Sequence, residues 1–140
     1  MIAPAKSSAQ VVKLRKELDV TRLCEEYEKV RGLKLPYAHP NSIGENGALS
    51  LFSPSGSSTE IFPFSQGPAS SPTPLAKHTP HTMAFLKSLR APLFSARYLS
   101  TETQGGLVYH RDYDLNFAFG VIRLHVPLQT GPGALFFVEG

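Results

Sequence analysis

Two stretches of the chain place apolar residues at the spacing of an amphipathic helix. The first predicted helix covers residues 20–31 and begins after Asp19, whose carboxylate can accept hydrogen bonds from the backbone N–H groups of the first turn. Because Cys24 lies on the apolar side of this helix, a small buried side chain is favoured there over a reactive thiol. A second helix is predicted to begin where a Thr79 cap is followed by Pro80.

Shorter runs of alternating or β-branched residues predict strands. Most of these runs lie in the C-terminal part of the chain, where turn sequences such as GPG at 131–133 separate them. Short strands at this spacing are typical of sandwiches, jelly rolls and barrels, so the sequence predicts a mainly β fold with flanking helices. The predicted strands are residues 11–18, 48–52, 93–100, 107–112, 120–128 and 134–138.

Two segments show neither pattern. Residues 1–10 are predicted to be a disordered lead-in, and residues 11–140 are expected to form one domain. Residues 53–80 are rich in Ser, Pro and Gly. So long a segment without its own structure is typical of a functional loop or lid.

Composition excludes several classes of protein. Fourteen basic and 11 acidic residues give a net charge of only +3, without a basic stripe, so nucleic-acid binding is not expected. No apolar run approaches the roughly 20 residues of a membrane-spanning helix, and the first ten residues do not resemble a secretory signal. The single cysteine excludes an intrachain disulfide and fits a reducing compartment, so we expect a cytoplasmic protein.

The candidate chemistry lies in residues 105–114, which read GGLVYHRDYD. His110 and Asp112 are two residues apart on a predicted strand, so their side chains are expected to leave the same face. An imidazole and a carboxylate placed in this way supply two ligands of the 2-His-1-carboxylate set that holds non-haem Fe(II). The tripeptide alone also fits a polar strand end, with Arg111 and Asp114 as solvated charges.

Arg123 and His125 form a second pair of polar residues that would share a strand face. A buried arginine requires an anion, and a dicarboxylate cosubstrate is one way to supply it. The alternative is an internal ion pair with Asp112, Asp114 or Glu139. The neighbours of the pair are the apolar residues Val121, Ile122, Leu124 and Val126.

The order of these motifs resembles a known family, the aspartyl/asparaginyl and free-amino-acid proline hydroxylases, which are Fe(II)- and 2-oxoglutarate-dependent dioxygenases. The resemblance covers most of the chain. The combination of HRDY, RLHVPLxT and FxVxG in this order is more specific than any single piece. The matching segments are the Asp-capped helix over 18–30, ALSLFS at 48–53, ARYL at 96–99, GG at 105–106, HRDY at 110–113, RLHVPLQT at 123–130 and FFVEG at 136–140.

The resemblance implies a double-stranded β-helix, a cupin-like jelly roll that is incomplete at its C-terminus. His110 and Asp112 would bind Fe(II), while Arg123 and His125 match positions that face the carboxylates of 2-oxoglutarate, and Ser100 is a weaker candidate for the same cosubstrate. The implied reaction hydroxylates an amino acid, proline-like by the Asp in HxD, or a peptidyl Asp or Asn side chain. It converts 2-oxoglutarate to succinate and CO₂.

The sequence departs from the family in one respect. The family's second iron-binding histidine lies several tens of residues beyond HxD and is followed by an arginine that binds the distal carboxylate of 2-oxoglutarate. Neither has a counterpart here, so the sequence looks like the N-terminal two-thirds of such an enzyme. His39, His78 and His81 precede the motif in loop or helix-start sequence, which disfavours them as substitutes.

Three interpretations therefore follow from the sequence. The first is an Fe(II)/2-oxoglutarate hydroxylase, or a fragment of one, that acts on an amino acid or a peptidyl side chain. The second is a non-catalytic cupin-like binding module, and the third is a β-sandwich without a metal. Open sheet edges would also favour self-association.

Overall fold

The computed structural model describes residues 17–61, 70–110 and 120–137. Within these ranges the protein contains both helices and strands: mainly antiparallel sheets and two short α-helices. The helices are α1 (Val20–Val30), continued by a 3-10 turn over Arg31–Leu33, and α2 (Pro80–Ser88), preceded by a 3-10 turn over Pro74–His78. The strands are β1 (Leu35–Pro36), β2 (Ser42–Ile43), β3 (Asn46–Ser53), β4 (Ser71–Pro72), β5 (Ala96–Thr101) and β6 (Gly106–Leu107).

Strand β3 is the centre of the larger sheet. It pairs with β5 over most of its length, from Asn46 opposite Thr101 to Phe52 opposite Ala96. Its other edge pairs with β1 near one end and with β4 near the other. Strands β2 and β6 form a separate two-stranded ribbon. All of these pairings are antiparallel, as a β fold with short connections allows.

The two faces of the β3–β5 pair have different neighbours, because successive side chains on a strand point in opposite directions. Leu49 lies opposite Tyr98 on the face that packs against the helices, where they form the core with Val30 and Leu51. Arg97 lies opposite Ser50 and so belongs to the other face. Arg97 is therefore on the sheet face that does not carry this core.

Helix α1 begins where its sequence predicts and ends at Val30, one residue before the predicted end. The carboxylate of Asp19 accepts a hydrogen bond from the backbone N–H of Arg22 at 3.1 Å, and the helix then covers Val20–Val30. The thiol of Cys24 is half-buried and donates to the backbone carbonyl of Leu128 at 3.4 Å. The packing of α1 thus connects residues 104 positions apart in the chain.

Helix α2 begins at Pro80 as predicted, but its N-terminus is capped in another way. The Thr79 hydroxyl donates to the backbone carbonyl of Ala76, three residues earlier. The Thr79 side chain therefore makes no capping bond to α2. The cap comes instead from Glu26 of α1, whose carboxylate accepts from the backbone N–H groups of His81 at 2.7 Å and Thr82 at 2.9 Å. Residue Glu26 is only 2% exposed.

The same carboxylate connects both helices to the sheet. The Thr82 hydroxyl donates to Glu26 at 2.8 Å, so it must accept the hydrogen bond that joins it to the Tyr98 hydroxyl at 2.6 Å. Burial is the main cause that raises the pKa of Tyr98 above its usual value. The phenol therefore stays protonated and can serve as the donor of this bond.

Two of the predicted strands are correct in type and shifted in extent. The strand predicted for 48–52 is β3, and the one predicted for 93–100 begins only at Ala96. The strand predicted for 107–112 is reduced to β6, and its last residues, 111 and 112, lie outside the described residues. The long segment 53–80 contains β4 and a 3-10 turn, while residues 62–69 of it lie outside the described residues.

The prediction of strands over 120–128 and 134–138 is wrong for residues 120–137, which contain no strand. Apolar alternation indicates that a segment can form a strand, but a strand also needs a neighbour that satisfies its backbone groups. Side chains here remain largely exposed, with Ile122 at 68% and Leu135 at 76%. The backbone bond described within this segment, from Ala134 to Gly131, closes a turn.

Other predictions fall on residues that are not described. The lead-in over 1–10 and most of the predicted strand 11–18 lie outside the described residues, and Leu18 is not in a strand. None of the helices in the described ranges has the length and apolar character that crossing a membrane requires.

Candidate functional site

The β2–β6 ribbon determines where His110 lies. Its register places Ser42 opposite Leu107 and Ile43 opposite Gly106. Beyond the last pair, the backbone N–H of Val108 donates to the carbonyl of Asn41 at 2.8 Å, so the two chains stay side by side.

The turn over residues 102–105, before β6, needs a glycine at its last position. A Cβ on Gly105 would lie 2.8 Å from the carbonyl oxygen of Glu45, closer than real Cβ atoms come to backbone. Gly105 thus allows the close approach of two chain segments that positions the ribbon, whereas a Cβ on Gly106 would meet nothing within 4 Å.

His110 is exposed, and its ring is oriented by a backbone group. Its Nδ1 lies 2.8 Å from the carbonyl oxygen of Val108. A carbonyl can only accept, so Nδ1 must donate, and in the neutral ring the lone pair is then on Nε2. A backbone carbonyl on the other ring nitrogen is the usual arrangement of a metal-binding histidine.

The structure brings His39 next to His110, although the sequence disfavours His39. The centres of the two rings are 5.8 Å apart, with 41° between their planes. The Nδ1 of His39 accepts from the backbone N–H of Asn41 at 3.1 Å, and Tyr37 stacks on the His39 ring at 5.9 Å with only 7° between the planes. The ring of His39 is therefore held from two sides.

Arg97 joins this group from the larger sheet. Its guanidinium donates to the backbone carbonyl of Ile61, and its carbon Cζ lies 5.3 Å from the centre of the Tyr37 ring. In the sequence, Arg97 is distinguished only as part of the ARYL segment at 96–99. Period-two alternation could have indicated its face, because Arg97 and Tyr98 must point to opposite sides of β5.

Ser100 lies on the other face of the sheet, opposite Gly47. A Cβ on Gly47 would come within 2.8 Å of both the Ser100 hydroxyl and Cδ of Lys34, so this hydroxyl lies beside the stem of Lys34. The hydroxyl oxygen is buried and makes no hydrogen bond within the described ranges. Ser100 thus shares a sheet face with Tyr98 and points away from the face that carries Arg97.

Lys34 is held in this position by an ion pair with Glu102. Their hydrogen bond is the main cause that raises the pKa of Lys34 and lowers the pKa of Glu102. Both groups are therefore charged near neutral pH. Because the pair is exposed to solvent, we assign it a role in placing the Lys34 stem and no large share of stability.

We expect that Ser100→Ala leaves the free energy of unfolding unchanged within about 0.5 kcal/mol or raises it, because the substitution removes a buried hydroxyl without a described partner. The matched control is Ser53→Ala, which removes a bond from Ser53 to the carbonyl of Ser57 at 2.9 Å and should cost about 1 kcal/mol. Urea denaturation measures both. A loss of more than about 1 kcal/mol in Ser100→Ala would show that this hydroxyl has a stabilising partner.

Arg123 and His125 are exposed in a segment without strands. The prediction that they share the face of a strand is therefore wrong, because residues 120–137 lack the neighbouring strand that a strand needs. The His125 ring contacts Phe136, with ring centres 5.1 Å apart. Asp112 lies outside the described residues.

The described donors fit a metal in part. His110 is prepared to bind through Nε2, because its Nδ1 is engaged by the Val108 carbonyl. Within residues 17–61, 70–110 and 120–137, no group of three or more His, Cys, Asp or Glu side chains could hold an ion. The described ranges thus contain imidazoles that could bind an ion, but no complete ligand set.

Comparison of the chain with models of protein families, with curated proteins and with solved structures finds no significant match. Functional assignment therefore depends on the residues of this chain. The HxD motif and the orientation of the His110 ring are the two features that bear on it most directly.

Proposed function

We propose that this chain carries the metal-binding part of an Fe(II)- and 2-oxoglutarate-dependent hydroxylase acting on an amino acid or a peptidyl side chain. The observation that carries the proposal is the hydrogen bond from His110 Nδ1 to the Val108 carbonyl, because His110 begins the HRDY motif two residues before Asp112. This bond leaves Nε2 as the nitrogen with the lone pair, as metal coordination requires.

In this proposal His110 and Asp112 bind the metal, and Arg123 and His125 bind the carboxylates of 2-oxoglutarate. The bound iron would supply the oxidising chemistry that converts 2-oxoglutarate to succinate and CO₂ while a C–H bond is hydroxylated. The protein would orient the substrate and exclude water. The role of Asp112, like those of Arg123 and His125, is supported by the motif order alone.

A cupin-like jelly roll is part of the same proposal. In a cupin-like jelly roll, the sheet of β1, β3, β4 and β5 would form one wall, with α1 and α2 packed outside it. Arg97 and the ribbon with His110 would then face the interior of the roll. A cytoplasmic location is consistent with the single cysteine.

A second candidate function is a non-catalytic binding module of the same architecture. It is favoured by the exposure of Arg123 and His125 and by the lack of a three-ligand group in the described part of the chain. In that case the fold would be kept without turnover.

Titration with Co(II), followed by absorbance and calorimetry, tests the metal assignment. His110→Ala should abolish Co(II) binding, because it removes the ligand that the ribbon orients. The matched control is His78→Ala, an exposed histidine of the 3-10 turn before α2, which should leave the affinity unchanged. Unchanged affinity in His110→Ala would refute the hydroxylase assignment and favour the non-catalytic module.

A further inference from the structure

We propose that His39 is a second imidazole ligand of the metal bound at His110, so that the β2–β6 ribbon carries a two-histidine site for divalent transition metals. The inference rests on the proposed function, since it needs a metal at His110. It assigns the second histidine to a residue that precedes the HxD motif in the chain.

The register of the ribbon is the first support. Ser42 pairs with Leu107, and the Val108 N–H to Asn41 carbonyl bond continues the pairing outward. Directly before this pairing, the backbone N–H of Ser42 donates to the His39 carbonyl at 2.8 Å and closes a turn over residues 39–42. This turn keeps His39 beside the end of the ribbon from which the chain continues to His110.

The distance between the rings is the second support. A metal–imidazole bond is about 2.0–2.1 Å long, so two imidazoles on one ion have ring centres roughly 4.5–5.5 Å apart. The observed 5.8 Å exceeds this range by a few tenths of an ångström. Small side-chain rotations of the exposed His110 are sufficient to close the gap.

The hydrogen bond from Asn41 to Nδ1 of His39 opposes coordination only weakly. The metal could bind Nδ1 of His39 and displace the Asn41 N–H from it. It could also bind Nε2, once the ring proton has moved from Nε2 to Nδ1. Either mode breaks the hydrogen bond from Asn41. Losing such a hydrogen bond weakens the metal-binding constant by about tenfold at most. Loss of a residue that merely orients a metal ligand already costs about 10–100-fold in affinity, and a direct ligand contributes at least as much.

The chemistry of the pair indicates which ions it would take. Imidazole suits Fe(II), Co(II), Ni(II) and Zn(II), whereas Mg²⁺ and Ca²⁺ prefer oxygen donors. Tyr37 stacks on His39 and restricts the orientation of its ring before the metal arrives. The site should therefore bind Co(II) and not Mg²⁺.

Co(II) affinity of four proteins tests the inference: the unaltered chain, His39→Ala, His110→Ala and His78→Ala. We expect a loss of about tenfold or more in His39→Ala, no binding in His110→Ala and no change in His78→Ala. Far-UV circular dichroism confirms that each variant is folded. Proton NMR of the Co(II) form gives the direct count, since each bound imidazole contributes one shifted, solvent-exchangeable N–H signal.

The outcomes separate the inference from the proposed function. Two shifted N–H signals in the unaltered chain and one in His39→Ala would support His39 as a ligand. One signal in both, or unchanged affinity in His39→Ala while His110→Ala loses binding, would overturn the role of His39 and leave the metal at His110. Unchanged affinity in both variants would overturn both.

Discussion

Replacement of Glu26 by alanine is expected to lower the free energy of unfolding by about 3 kcal/mol. Three donors lose their acceptor in this variant: the backbone N–H groups of His81 and Thr82 and the Thr82 hydroxyl. Two of these bonds satisfy the first turn of α2, which has no cap from its own Thr79 side chain. The site is buried, so water cannot fully replace the carboxylate.

Two further variants show which property of Glu26 matters. Glu26→Gln keeps one acceptor oxygen and should lose about half as much as the alanine variant, because bonds to a charged acceptor are roughly twice as strong as neutral ones. Glu25→Ala, at the exposed neighbouring position, should change stability by about 0.5 kcal/mol or less. Urea denaturation gives all three values. An equal loss in Glu25→Ala and Glu26→Ala would mean that the cap does not explain the effect, because alanine is the better helix former at both positions.

Local signals in the sequence predict those elements whose stabilising contacts are also local. Asp19 caps the turn that directly follows it, and the apolar stripe of α1 needs only one surface to pack on, so this helix is predicted correctly. The strand over 48–52 is also predicted correctly, although its partner β5 is distant in sequence. Its residues alternate, and the fold supplies the neighbouring strand that this pattern needs.

Features that depend on distant pairing could not be predicted from local pattern. Glu26 lies on the apolar side of α1, yet its partners are 55 and 56 residues away. The ring of His39 meets that of His110 only because β2 pairs with β6. At 120–137 the apolar alternation predicts strands that the structure does not contain. The alternation indicates strand propensity, but it does not show whether a neighbouring strand is present to pair with.

Metal binding and turnover are expected to separate in this chain: it should bind Co(II) but form no detectable succinate from 2-oxoglutarate with Fe(II), ascorbate and a panel of amino acids. The family that the sequence resembles binds the distal carboxylate of 2-oxoglutarate with an arginine beyond its second histidine. The sequence after His125 contains neither a histidine nor an arginine. Arg123 is exposed, and the Ser100 hydroxyl lies beside the Lys34 stem.

One missing charge-assisted contact is worth about 1.5–3 kcal/mol, which weakens cosubstrate binding roughly 10- to 150-fold. His39, as a second imidazole, would restore metal affinity but would add no cation for the carboxylate. The assay measures succinate with and without the amino acids, with His110→Ala as the background. Succinate formation that depends on His110 would contradict this expectation, because it would mean that Arg123 and His125 are sufficient to bind 2-oxoglutarate next to the metal.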